Sequence, residues 1–157
     1  MNVSARSSTG TNRRATVVSP RQVAVGTFVG GPVAMIYYLR KNYLAIGDLN
    51  SSKKILWIGS LFLLAWNALI TLDVLLPKPT SIVLDLILKV TPFILVIVAR
   101  QIAQAQFDLL PRQYDFYSNW SVVGSAILCL VASIGSLLPA MIVVMIVVGA
   151  STYLGMH

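Results

Sequence analysis

Four apolar runs, residues 23–39, 55–76, 82–99 and 121–149, make up most of this chain and hold only three of its charged side chains, Asp73, Asp85 and Lys89. A helix needs about 20 mostly apolar residues to cross a hydrocarbon core of about 30 Å. A chain in which such runs dominate therefore folds in a bilayer, where every backbone polar group has to be satisfied internally. Composition agrees: 57% of the 157 residues are hydrophobic and 11% charged, against about 25% charged in soluble domains. The expected fold is an all-α integral membrane protein: a disordered basic tail over 1–20, then one helical membrane domain over 21–157.

The runs differ in their fitness to span. Run 55–76 has 22 residues and carries Trp57 near one end, as interfacial anchoring favours. After it, Pro77-Lys78-Pro79-Thr80 is a short connector, so run 82–99 returns antiparallel in a tight hairpin. Run 121–149 has 29 residues, about 44 Å as one helix, whereas halves of about 21 Å are each too short to cross. One long helix that tilts, kinks near Pro139 or protrudes is expected. Run 23–39 has 17 residues, about 25 Å, and is interrupted by Gly30-Gly31-Pro32, where two glycines precede a residue without a backbone N–H. This marks a broken or re-entrant segment. The connector 40–54 offers turn residues at Gly47 and Asn50-Ser51-Ser52, and 100–120 offers the interfacial aromatics Tyr114, Phe116, Tyr117 and Trp120.

Positive charge separates two topologies, because cytoplasmic loops carry the Lys and Arg excess. With four transmembrane helices, five basic residues face six across the membrane. If the first run enters and leaves by one face, the count becomes ten against one, with Lys89 inside a span. Three transmembrane helices plus a re-entrant N-terminal segment is the favoured arrangement, with the tail, the 40–54 connector and the 100–120 connector in the cytoplasm and the C-terminus outside. The net charge of +7 then meets anionic headgroups rather than nucleic acid.

Few residues can carry chemistry. Asp85 and Lys89 form an i, i+4 pair on one helix face, and the short hairpin brings Asp73 opposite them, giving a polar cluster near the outer face. Intramembrane ionisable groups mark functional sites by default, although here they can also simply neutralise one another. Ser121, Ser125, Cys129 and Ser133 recur every four residues as a small-residue stripe, suited to internal packing or to a partner helix. Gly26 and Gly30 make a Gly-x-x-x-Gly step of the same kind. Asn67 reads as a structural hydrogen-bonding group. The single cysteine excludes an internal disulfide. With no Glu and one His, at position 157, no metal site, cofactor or catalytic set is implied, and the chain reads as no enzyme.

The stretch Gly26-Thr27-Phe28-Val29-Gly30-Gly31-Pro32, followed by Asn42-Tyr43-Leu44-Ala45-Ile46-Gly47, resembles a pattern in small bacterial inner-membrane proteins. The resemblance covers about 30 of the 157 residues. It implies a multi-pass protein of the bacterial inner membrane and transfers no activity. The leading functional expectation is a non-catalytic membrane-resident binder, an immunity protein that neutralises a membrane-acting toxin or secreted effector. The alternatives are a small oligomeric channel or transporter subunit, with Asp73, Asp85 and Lys89 along a polar route, and an accessory subunit of a membrane complex. Expected partners are the lipid bilayer, such a toxin or another membrane protein, or a second copy of the chain.

Overall fold

A computed structural model describes residues 15–75, 78–109 and 114–154. The order is β1 (Ala15–Val17), α1 (Pro20–Ile46), α2 (Leu49–Leu75), α3 (Lys78–Asp108), β2 (Tyr114–Phe116), α4 (Asn119–Gly135) and α5 (Leu138–Leu154). The protein is mostly helical. By length and composition alone, three segments match a membrane span, α1, α2 and residues Ile82–Asp108 of α3, and α4 and α5 are shorter.

α1 is folded in half. Gly31 has φ 65° and ψ −156°, outside helical geometry, and Pro32 follows it. A straight helix would separate residues 18 and 42 by about 36 Å. Instead the Val18 N–H donates to Asn42 Oδ1 at 2.8 Å, and Asn42 Nδ2 donates back to the Val18 carbonyl at 2.9 Å. The two halves lie against each other, the Tyr38 ring covering Gly26 and Ala34 covering Gly30. With about 16 Å in the first half and about 22 Å in the second, neither crosses a 30 Å core. The entrance is fixed by a capping box, Ser19 accepting from the Gln22 N–H while the Gln22 side chain accepts from the Ser19 N–H. At the exit Gly47 takes the left-handed conformation, φ 85°, that closes a helix C-terminus.

The ends of this hairpin share one face with the other connectors. β1 pairs in parallel with β2, Thr16 opposite Asp115, and Gln22 Nε2 donates to the Tyr117 carbonyl and to Asn119 Oδ1. Lys41 Nζ stands 3.7 Å from the centre of the Tyr117 ring. The N-terminal strand, the α1–α2 turn and the α3–α4 connector are therefore neighbours, as the ten-to-one charge count requires. The core packs α1 against α3, α4 and α2, with Val18, Val23, Ala34, Tyr38, Leu39, Ala99, Ala103 and Val122 buried.

Several sequence expectations need correction. The last apolar run is two helices, because Pro139 has no N–H for the Gly135 carbonyl and its ring crowds that carbonyl; the chain resumes at Leu138. α4 packs on α1 and α5 on α2. Ser136 reaches Asn67, which lies about 27 Å along α2, so the bent α4–α5 unit leads away from the basic face. The 40–54 connector is helical except at Gly47-Asp48, and α3 extends to Asp108. Within the expected tail, Ala15–Val17 forms a strand, and residues 1–14 lie outside the described residues, as does Pro77. The β1–β2 pair adds a two-stranded parallel patch to the all-α expectation.

Candidate functional site

The break in α1 frees backbone polar groups within an apolar segment, and in a bilayer such groups are tolerated only where protein buries them or they line a water-filled cavity. α4 supplies the cover. Ser133 Oγ donates to the Gly30 carbonyl at 2.9 Å. A Cβ at Gly30 would stand 2.8 Å from the Ala126 carbonyl oxygen, so only glycine permits this approach of the two backbones. Nearer the basic face, the Tyr38 hydroxyl donates to the Val122 carbonyl at 2.8 Å and lies 3.0 Å from Ser125 Oγ. Cys129 is buried beside Gly30.

The small-residue stripe thus faces the hairpin from Ser125 to Ser133. Ser121, one turn earlier, is exposed and uses its carbonyl to accept from Ser125 Oγ. Gly30, Gly31 and Pro32 form the tip that the stripe encloses. α3 closes the opposite side, with Gln106 Nε2 donating to the Leu39 carbonyl at 3.1 Å and Phe93 set against Phe28 with ring centres 6.4 Å apart. Sequence reasoning did not single out Gln22, Tyr38, Asn42 or Gln106 as site residues. The available signal was isolated hydrogen-bonding side chains within or beside an apolar run, which have to find partners.

The second polar group lies at the other end of the α2–α3 hairpin. Lys89 Nζ contacts Asp85 Oδ2 at 2.7 Å, with the two side chains 71% and 49% exposed respectively. Asp73 lies on α2, the other arm of the α2–α3 hairpin. One oxygen of Asp73, Oδ1, is enclosed without a hydrogen-bond partner. Both side chains of the Asp85–Lys89 pair are exposed on α3. Elsewhere, α2 and α5 leave an apolar groove of about 320 Å³ between Ile70, Val74, Leu137, Met141 and Met145.

No protein-family model, curated protein or solved structure is detectably similar to this chain. Among the described residues no group of three His, Cys, Asp or Glu side chains lies together to hold a metal ion.

Proposed function

We propose that this multi-pass membrane protein is non-catalytic and acts by binding another membrane protein within the bilayer, and that the binding confers immunity to a membrane-acting toxin. The observation that carries the reading is the exposed Asp85–Lys89 pair. Counted along α3 from Arg100, Lys89 is about 16 Å and Asp85 about 22 Å away, within a core of about 30 Å. Charged groups at such depth almost always face protein or a water-filled cavity. An ion pair on an open face therefore supports a partner that covers it. The hydrogen-bonding side chains of the hairpin are, by contrast, engaged in holding helices together and leave no reacting group poised for chemistry. The basic face is assigned to the cytoplasm of a bacterial inner membrane, with the pair near the outer side, where an incoming toxin arrives.

The test is growth of a deletion strain beside toxin-proficient siblings. The reading expects the deletion to be killed, the wild-type gene to restore growth, and Asp85→Asn with Lys89→Gln to accumulate in the membrane without protecting. Unimpaired growth of the deletion strain removes immunity. A channel or transporter subunit draws on the enclosed Asp73 oxygen, and it is favoured if Asp73→Asn alters ion leak in proteoliposomes containing the purified protein alone.

A further inference from the structure

A cleft of about 410 Å³ opens on the basic face between the start of α1 and the end of α3. Arg21 and Arg100, 79 positions apart in sequence, both line it, together with Gln104, Phe107 and Asp108. Two arginines lining one cavity bring like charges to it, and an anion bound there offsets their repulsion. Neither Arg is ion-paired with a carboxylate among the described residues, although Asp108 stands on the same wall. The wall itself is held firmly: the Phe107 ring stacks on Phe116 at 5.6 Å and meets Tyr114 edge-on at 5.2 Å. Depth is fixed by neighbours, since Arg21 precedes Gln22, which is bonded to Asn119 beside the 85%-exposed Trp120, and exposed Trp residues mark the headgroup level.

We propose that this cleft binds the phosphodiester of an anionic phospholipid headgroup, held by Arg21 and Arg100. Planar guanidinium forks match phosphate oxygens in paired hydrogen bonds, and basic pockets between membrane helices on the cytoplasmic side recognise such headgroups. Charge selects among lipids. Two guanidiniums and one carboxylate leave one net positive charge, which complements a singly charged phosphodiester carrying a neutral hydroxylated headgroup, as in phosphatidylglycerol. The Asp108 carboxylate accepts from the headgroup hydroxyl, and Gln104 offers its amide to the phosphate. A zwitterionic headgroup brings no net charge to match. The site is independent of the Asp85–Lys89 face and of any protein partner.

The experiment measures lipid retention by native mass spectrometry and thermal stabilisation of the purified full chain, with phosphatidylglycerol, phosphatidylethanolamine or inorganic phosphate added. The expected result is selective retention of phosphatidylglycerol, weakened at least tenfold in Arg21→Gln with Arg100→Gln and little changed in Lys53→Gln with Lys54→Gln, which removes equal charge from the same face. Both arginines are exposed, so the double variant should fold, and the lipid comparison on the wild-type chain needs no variant at all. Equal weakening by the lysine pair overturns the site in favour of diffuse attraction. Equal retention of phosphatidylethanolamine overturns the charge argument, and stabilisation by inorganic phosphate to the same extent as by phosphatidylglycerol overturns the lipid as the source of the anion.

Discussion

The inner half of the molecule, around the folded α1, and the outer half, where α5 lies along the end of α2, are both built from apolar helices, yet they are held together differently. In the inner half, glycines admit neighbouring backbones and side chains, and Asn42, Gln22, Tyr38, Gln106 and Ser133 tie elements distant in sequence. In the outer half, Leu138, Met141, Ile142, Val143, Met145 and Ile146 remain exposed, and a 3.5 Å contact from Asn67 to Ser136, just before α5, is a polar link to α2. The difference teaches that hydrophobicity alone does not order helices in lipid. Tails are as apolar as leucine, so close backbone approach and hydrogen bonding decide which helices pack.

The largest effect expected from breaking this comparison is at Gly30. A leucine there meets the Ala126 carbonyl oxygen and the Cys129 and Ala34 side chains, and forced overpacking costs about 1–3 kcal/mol or more. Gly124→Leu, on α4 but facing open space with no neighbour within 4 Å of where a side chain would begin, should be close to neutral. Fluorescence-detected size exclusion after heating checks both: Gly30→Leu should lose most of its monodisperse protein and Gly124→Leu should keep it. Equal loss in the two would mean that the α1–α4 approach is not what stabilises the inner half.

Much of this inner half was legible in the sequence, and the reason is chemical. Gly30-Gly31-Pro32 cannot propagate a helix undisturbed, and the basic residues cannot be divided sensibly unless the chain turns back there. The Asp85–Lys89 pair was equally readable, because i, i+4 spacing puts two side chains on one helix face. The split at Ser136–Leu137 was less readable, since Pro139 signals a disturbance without saying whether the helix bends or stops. The β1–β2 pairing was not readable at all. Three-residue strands 99 positions apart in register have no periodicity of their own and exist because the folded α1 brings their flanks together. The Arg21–Arg100 cleft was hidden for the same reason, as neither arginine is unusual until tertiary packing brings both to the lining of one cleft.

An intermediate effect comes from contrasting two asparagines. Asn42 is fully buried and satisfies both the N–H and the carbonyl of Val18. Replacing it by leucine leaves two enclosed backbone groups unpaired, at about 1–3 kcal/mol each. Asn67→Leu removes only the long contact to Ser136, and polar contacts between membrane helices average about 0.6 kcal/mol. Limited proteolysis should find the chain near Val18 newly accessible in Asn42→Leu and unchanged in Asn67→Leu. The comparison between halves fails if Asn67→Leu proves the more damaging.

The smallest effect sharpens the comparison at its edge, where α1 hands over to α2. Asp48 caps α2: its Oδ1 accepts from the Ser51 N–H at 2.9 Å, and its carbonyl accepts from the Ser52 N–H at 3.1 Å. Hydrogen bonding by the Ser51 side chain, then by the Ser51 backbone N–H, holds the carboxyl below its ordinary value, with the Lys54 ammonium adding to the effect. The sign follows from linkage. A carboxyl with a lowered pKa in the folded chain contributes stability at pH above its unfolded value, and that contribution disappears as pH falls through the folded value. An asparagine side chain caps a helix well without a titrating proton, so Asp48→Asn should unfold at nearly the wild-type temperature at neutral pH. Below about pH 4 the wild type should lose more stability than the variant. Because Asp48 lies at the surface, the divergence should be small and should shrink further at high salt. Melting curves that stay parallel down to about pH 3 at low salt would show that the α1–α2 turn is held by Gly47 geometry and hairpin packing alone, without help from the charged cap.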